Sequence, residues 1–396
     1  MTGFKSVELF TGAGGLALGL EKAGWHHVAM VELDKHACAT LKTNKLRGHP
    51  LAADWEIHAA DVRGFDYGAV NQKVDMVAGG PPCQPFSLGG KHQAYNDKRD
   101  MFGEAVRAVR EMKPKFFVFE NVKGLLRESF ATYFNYVILQ LTYPEISRRS
   151  CEGWKDHLGR LERFHTGGRE SGLTYRVVYR LLNAAEYGVP QVRERVFIVG
   201  FQADLGREWC FPTATHSAEA LLWDQWVTGQ YWEEHGVPKR ERPAAPPQLK
   251  KQIERLRSSF RFSAPAKERF RTVRDALSGL PSPQTDSGAV ANHEYRNGAK
   301  RYPGHTGSPL DEPAKTIKAG NHGVPGGENM LALPDGNCRY YTVRESARIQ
   351  TFPDDYLFCG SWTESMRQIG NAVPVSLAEA VGESIRAQNP LKLHVQ

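Results

Sequence analysis

Apolar residues along the first 200 positions fall into short runs separated by longer stretches of mixed polarity, and the two kinds carry different periods. The runs at 7–10, 28–31, 57–60, 74–78 and 116–119 are rich in branched and aromatic side chains, and each ends at a small or polar residue, which predicts buried strands. Between them, 16–23, 35–44, 101–112 and 124–141 predict helices. In the third, Phe102, Ala105, Val106 and Val109 are spaced to share one face. Two further strands are expected at 175–182 and 195–201, close enough through 185–191 to pair with each other. Strands alternating with helices define an α/β class, a mostly parallel sheet covered by helices on both faces. The stretch 143–172 is polar and without clear period, and it reads as an inserted surface segment. After Phe201 the apolar period weakens and prolines cluster (Pro243, Pro246, Pro247, Pro281, Pro283), so a second domain is expected to start there.

Composition narrows the class without naming a function. The 396 residues are 41% hydrophobic and 24% charged, which fits a folded globular protein and neither a disordered tail nor a membrane-spanning chain. The N-terminal MTGFKSVELF carries no secretory pattern, so a reducing cytoplasm is the expected compartment. The six cysteines stand at least 21 residues apart, so no CxxC pair proposes zinc, and no metal is expected. The net charge of +7 becomes informative only when located, because 239–274 alone carries a larger positive excess than the whole chain. That run permits a polyanionic partner, although a solvated helix face would read the same way.

Candidate chemistry gathers at the predicted strand ends. After the first strand, Phe10-Thr-Gly12-Ala-Gly14-Gly15 is a glycine turn opening a helix, where a ligand can approach the backbone. Gly12, Gly14 and Ala17 satisfy a dinucleotide fingerprint, and Glu32 stands where an acid would hold ribose hydroxyls, so dehydrogenase and nucleoside-cofactor methyltransferase are both open at this point. Asp61, ending the next strand, is placed to receive an adenine amino group or simply to cap a turn. The fourth strand leads to Gly79-Gly80-Pro81-Pro82-Cys83-Gln84-Pro85, where three prolines fix the backbone around a thiol. Glu120, in Phe119-Glu120-Asn121-Val122, follows the fifth strand on the same sheet edge. An acid beside a nucleophilic thiol suggests acid-assisted addition to a bound ring.

These residues, with Gln191-Val-Arg193-Glu-Arg195, Arg344-Glu-Ser-Ala-Arg348-Ile-Gln350-Thr-Phe-Pro353 and Gln368-Ile-Gly370-Asn371-Ala-Val373-Pro374, resemble the bacterial-type DNA cytosine-5 methyltransferases in order and over nearly the whole chain. The resemblance implies a methyltransferase Rossmann-like fold with a smaller target-recognition domain. It also implies S-adenosylmethionine as donor, S-adenosylhomocysteine as product, and double-stranded DNA as substrate. Cys83 is then the nucleophile towards cytosine C6, Glu120 the acid at N3, and Arg195 a contact to the base near O2, with Arg193 beside it on a backbone phosphate. Phe10, Gly12, Gly14, Gly15, Glu32, Leu33, Asp61, Val62, Pro82, Asn371 and Val373 are expected to line the cofactor. Leu33 stands where the family often has a larger side chain. Because C6 is unreachable in a stacked base, the cytosine must rotate out of the duplex. The glycine-containing basic stretch 87–99, with Ser87, Lys91 and Arg99, is the expected closing loop on DNA.

A final helix at 376–388 is expected to return to the first domain. The expected division is therefore 1–203 with 362–396 as the catalytic domain, 143–172 being its insertion, and 204–361 as the recognition domain. Base-reading candidates are 296–305 and 316–323. The implied role is protection of DNA from a partner restriction endonuclease without stable contact, by a monomer with no membrane association. The rival readings are a transfer RNA cytosine-5 methyltransferase and a catalytically silent DNA-binding regulator. The long region after Phe201 weighs against the first, and the intact Cys83, Glu120 and Arg195 against the second.

Overall fold

The computed structural model of the chain describes residues 4–82, 101–168, 172–206, 208–260, 263–285, 288–303, 305–319, 329–333 and 335–388. In its first half, strands β1 (Phe4–Leu9), β2 (Trp25–Glu32), β3 (Ile57–Ala59), β4 (Met76–Gly79), β5 (Phe116–Val122), β6 (Tyr175–Asn183) and β7 (Glu194–Gln202) form one seven-stranded sheet, ordered β3-β2-β1-β4-β5-β7-β6. The strands from β3 to β5 run parallel, and β7 is antiparallel to both β5 and β6. The chain moves outward from β1 through β2 to β3, then returns to start again at β4 on the other side of β1. That reversal makes the carboxyl ends of β1 and β4 the switch point of the sheet, where open α/β sheets bind ligands.

Helices α1 (Gly15–Lys22), α2 (Lys35–Leu46), α3 (Phe102–Met112) and α4 (Ala131–Thr142) fill the expected positions between strands. On α3 the buried face is Phe102, Ala105, Val106, Ala108 and Val109, as its spacing predicts. Two details differ from the sequence reading. β5 does not stop at Phe119; pairing with β7 carries it on to Val122, opposite Arg195, so Glu120 and Asn121 lie inside a strand. The insertion 143–172 contains a 13-residue helix, α5 (Trp154–Thr166), whose buried side is only His157, Leu158 and Leu161. Three apolar-side positions in a charged sequence leave too faint a period to read. His157 ties the helix down, its two ring nitrogens hydrogen-bonded to Tyr136 Oη at 2.9 Å and to the Ile146 carbonyl at 2.7 Å.

Beyond β7 the elements are short: β8 (His216–Ser217), α6 (Ala218–Trp223), α7 (Gln230–Glu234), α8 (Lys250–Ser259), β9 (Glu268–Arg269), α9 (Val273–Leu277), β10 (Ser308–Pro309), β11 (Met330–Ala332), β12 (Cys338–Tyr340), α10 (Val343–Ile349) and α11 (Trp362–Asn371). The last helix, α12 (Val375–Ala387), returns to lie on α1. It can do so because α1 is small on that side: a Cβ added to Gly19 would sit 2.4 Å from the Val375 carbonyl oxygen. Trp25 Nε1 donates to the Gly382 carbonyl at 3.0 Å, and Arg386 donates to that of Ala23 at 2.7 Å.

Apolar cores cover both faces of the sheet. One packs Val7, Val31, Val77, Phe117 and Phe119 against α3, α4 and α5. The other packs Trp25, Met76, Phe116, Val118 and Phe197 against α1 and α12. A further cluster joins Ala13, Ala17, Leu41 and Trp55 to Val273, Ile317, Val343, Phe352 and Tyr356, so apolar packing runs unbroken from the glycine turn into the second half of the chain.

Candidate active site

The turn after β1 is built from left-handed residues. Phe10, Gly12 and Gly14 have φ of 56°, 56° and 85°. For Phe10 that conformation costs roughly 1–3 kcal/mol, held in place by the surrounding packing. Gly14 and Gly15 are required by close approach: a Cβ on Gly14 would be 3.1 Å from Tyr356 Oη, and one on Gly15 would be 2.3 Å from the Val373 carbonyl oxygen. A Cβ on Gly12, by contrast, would meet nothing within 4 Å, so this glycine borders open space at the switch point.

Glu32, at the end of β2, faces that space. Its Oε2 accepts from Gly12 N at 2.6 Å and its Oε1 from Asp34 N at 2.7 Å. Each oxygen keeps a second lone pair, so the carboxylate is oriented by the backbone and still able to accept from a pair of hydroxyls. Leu33 beside it is 65% exposed, and Val62 beyond β3 is buried. Asp61 accepts from the Arg63 backbone N–H at 3.0 Å and from the Arg63 guanidinium, a chelate that holds its carboxyl below the usual carboxylate range. Sequence reasoning did not anticipate Arg63; a cation two residues after an acid is its only signal. Phe10, Gly12, Gly14, Gly15, Glu32, Leu33, Asp61 and Val62 thus follow the carboxyl ends of three adjacent strands. Val373 is buried against Gly15, and Asn371 next to it is exposed.

One strand further, Gly79 of β4 pairs with Phe119 of β5. A Cβ on Gly80 would be 3.4 Å from Glu120 Oε2, so the chain leaving β4 runs directly beside that carboxyl. Asn121 Nδ2 donates to the Pro81 carbonyl at 3.0 Å and fixes the segment that leads to Cys83. Pro82 is exposed. Cys83, Ser87, Lys91 and Arg99 lie outside the described residues.

Glu120 is buried and paired with Arg195, Nε to Oε1 at 2.8 Å, from the neighbouring antiparallel strand. Burial pushes the Glu120 carboxyl up, with Arg195 and then Arg193 opposing the rise. The same burial lowers the Arg195 guanidinium, opposed by Glu120. A buried carboxyl that binds its proton more readily than an ordinary glutamate, beside a guanidinium, can, when protonated, donate a hydrogen bond to a ring nitrogen while the guanidinium stabilises an adjacent oxygen.

Arg193 corrects an expectation. Instead of reaching a phosphate or the base, it is fully buried and donates to backbone carbonyls: Nη1 to Ile317 at 3.0 Å, Nη2 to Gly370 at 2.7 Å and to Ala372 at 3.0 Å. Gln191 and Gln350, quoted in the motifs but given no role, are equally buried and hydrogen-bonded to each other at 2.9 Å. Position alternation explains the pattern, since Gln191 and Arg193 point inward on either side of the exposed Val192.

The basic run also resolves into parts. Arg269 pairs with Asp275 at 2.8 Å and Glu234 at 3.1 Å, and Arg274 pairs with Asp311 at 2.6 Å, so part of the local excess is neutralised within the fold. Lys250 and Lys251 on α8 are exposed. Of the base-reading candidates, Arg296 lies 4.3 Å over the Trp362 ring and Thr316 Oγ1 donates to the Val192 carbonyl at 2.8 Å, while 320–323 lie outside the described residues. Among the described residues no cluster of His, Cys, Asp and Glu is placed to hold a metal, and no helix is long and apolar enough to cross a membrane.

A mostly parallel sheet with a glycine turn, a Glu32 carboxylate held by two backbone N–H groups and a buried Glu120–Arg195 pair at its switch-point edge fits the framework of a nucleoside-cofactor methyltransferase. The C-5 cytosine-specific DNA methylase family matches residues 4–143 and 168–387, and the chain belongs to that family. The type II methyltransferase M.NgoMIV of Neisseria gonorrhoeae is 32% identical over 96% of this chain and 97% of its own length. M.Eco47II of Escherichia coli is 33% identical over 96% of this chain and 78% of its own. Among solved structures, Dnmt2 methyltransferase of S. pombe superposes over 98% of this chain and 99% of its own at a TM-score of 0.55 and 16% identity, which shows the shared fold. The Entamoeba histolytica methyltransferase EhMeth does so over the same shares at 0.57 and 12%. The protein is a DNA cytosine-5 methyltransferase.

Proposed function

We propose that this methyltransferase modifies one cytosine in a short double-stranded DNA sequence through a covalent bond between Cys83 and C6. The observation that carries the reading is the buried Glu120–Arg195 pair, one strand from the Pro81 segment that leads to Cys83. S-adenosylmethionine, when bound, supplies an electrophilic methyl group and leaves as S-adenosylhomocysteine. The glycine turn, with open space at Gly12 and both Glu32 oxygens still able to accept, fits such a nucleoside.

The Cys83 thiolate adds to C6, and the electron pair released into the ring is received at N3 by the proton of Glu120. Arg195 holds Glu120 in place and stabilises charge at O2. C5, now enamine-like, takes the methyl group; loss of its proton to a base then expels Cys83 and restores the ring. The cytosine is flipped out to reach this pocket, and Ser87, Lys91 and Arg99 close over it. The catalytic unit comprises 1–203 and 362–396, and 204–361 reads the target. The enzyme works as a monomer and protects DNA from a restriction endonuclease with which it makes no stable contact.

The test supplies radiolabelled S-adenosylmethionine with DNA or RNA, and a duplex carrying 5-fluorocytosine. The reading predicts label in DNA and a denaturant-stable complex with the fluorinated duplex, absent in Cys83→Ser. Label in RNA alone, or a trapped complex in Cys83→Ser, would overturn it.

A further inference from the structure

Three chain segments meet around Arg193, and each belongs to a different part of the site. The first, 190–193, leads directly into Glu194 and Arg195. The second, 314–319, forms a parallel bridge with the first, Gln191 opposite Ala314, and exposes Lys315 and Lys318 while burying Ala314 and Ile317. The third, 369–373, carries Val373, whose carbonyl lies against Gly15 of the glycine turn.

Buried polar groups lace the three together. Gln191 accepts from Ile317 N at 2.9 Å and donates to Gln350, which donates to the carbonyls of Ile369 at 2.7 Å and Ala372 at 3.1 Å. The Arg193 guanidinium spans Ile317 on one side and Gly370 with Ala372 on the other. Contact between the second and third segments is equally tight, since a Cβ on Gly370 would sit 2.4 Å from Ala319 N. Asn329 completes the frame by holding both the N–H and the carbonyl of Lys318 at 2.9 Å.

The economy of this arrangement is unusual for a scaffold. A fully buried arginine normally has a carboxylate partner, yet the hydrogen bonds of the Arg193 guanidinium among the described residues all go to backbone carbonyls, and its Nε has no acceptor. One rigid planar fork therefore fixes the distance between two loops, and neither can shift without loosening the hydrogen bonds of the other. On the proposed reading, the exposed Lys318 and Lys315, the latter also donating to Thr306 Oγ1 at 2.9 Å, give the second segment cations within reach of DNA phosphate, and the third lies against the turn that would hold the cofactor.

We infer that Arg193, with Gln191 and Gln350, is a positioning element that couples the two binding events, so that DNA seated on 314–319 steadies 369–373 and tightens the cofactor, and the cofactor tightens DNA by the same factor. This rests on the reading of DNA as substrate. The experiment measures S-adenosylhomocysteine affinity by calorimetry with and without a duplex bearing the methylated site. Arg193→Lys, whose single ammonium cannot bridge both segments, and Gln350→Met, which cuts the second bridge at similar volume, are compared with the unaltered enzyme.

The inference predicts that duplex tightens binding to the unaltered enzyme by about tenfold, within the usual coupling range of roughly 5–150-fold. The ratio falls towards one in both variants, whatever happens to affinity without DNA. A uniform loss of stability would weaken both affinities and leave their ratio intact. If either folded variant keeps the full ratio, or the unaltered enzyme shows none while methylating DNA, the coupling role is overturned alone. If the enzyme methylates no DNA, the underlying reading falls first and this one with it.

Discussion

Replacing Glu120 by Gln tests the site where its chemistry is most exposed to refutation. The two side chains have nearly the same volume, and the amide oxygen can still accept from Arg195 across the present 2.8 Å, so the pocket keeps its shape. What disappears is the transferable proton. Positioned general acids contribute about 10²–10⁴ in rate, so kcat should fall by that factor, equivalent to about 3–5 kcal/mol of barrier. Cofactor affinity should stay within about threefold, because the glycine turn after β1 lies two strands away in the sheet order and Glu32 on β2 lies three away. Burial raises the carboxyl of Glu120, so the unaltered enzyme holds its proton to higher pH than an ordinary glutamate and loses this contribution as pH rises through that raised value. The assay is single-turnover methyl transfer across pH, with thermal melting to confirm folding. A folded Glu120→Gln enzyme with full kcat would refute the acid role.

Three further outcomes follow from the geometry. Gly15→Ala places a methyl 2.3 Å from a backbone oxygen that cannot rotate away; urea unfolding should show a loss of about 1–3 kcal/mol together with weakened S-adenosylhomocysteine binding, and unchanged values would contradict the packing described. Glu32→Gln removes the charge that would accept the ribose hydroxyls, and since hydrogen bonds to charged groups are worth roughly 1.5–3 kcal/mol, calorimetry should show cofactor affinity down by about ten- to a hundredfold. Beneath α1, His27 is buried and its pKa falls from 6.5 to about 4, while burial raises neighbouring Glu8 well above 4.5. As pH falls from 7, folded Glu8 takes up its proton earlier than the unfolded residue does, which opposes the extra proton that His27 gains on unfolding. Glu8→Gln should uncover the histidine alone, whose unfolded form binds the extra proton, so stability should drop by about 3 kcal/mol from pH 7 to 4 in urea titrations. A pH response identical to that of the unaltered protein would contradict this.

The parts of the fold that were legible in the residues are those governed by local pattern. β4 and the start of β5 run as continuous apolar stretches because both faces are covered, whereas β1 and β2 carry the buried Ser6, Glu8 and His27 within theirs, and α3 shows its face because five of its positions point one way. The extension of β5 through Glu120 was not legible, since a polar residue in a strand is tolerated there by the partner Arg195, which lies 75 residues on in the chain. α5 was missed for a related reason: its anchoring residue is a histidine satisfied by a tyrosine hydroxyl and a carbonyl rather than an apolar contact.

For the site, the positions of Glu32, Asp61, Glu120 and Arg195 at one sheet edge follow from strand order. Arg193 did not announce its place, because charge type marks an arginine for solvent or phosphate and only tertiary contact reveals that three carbonyls receive it. The positive excess of 239–274, which permitted a polyanionic partner or a solvated helix face, likewise hid its internal pairing, since Arg269 and Arg274 are neutralised by Asp275, Glu234 and Asp311.

The central claim is that this chain places a methyl group on C5 of cytosine at a defined DNA sequence, and bisulfite sequencing of DNA from cells expressing it tests that claim most directly. The account predicts conversion-resistant cytosines at one position of a single short sequence, lost when Cys83→Ser is expressed at the same level. Fully converted DNA from cells in which the unaltered protein is folded and abundant would contradict it.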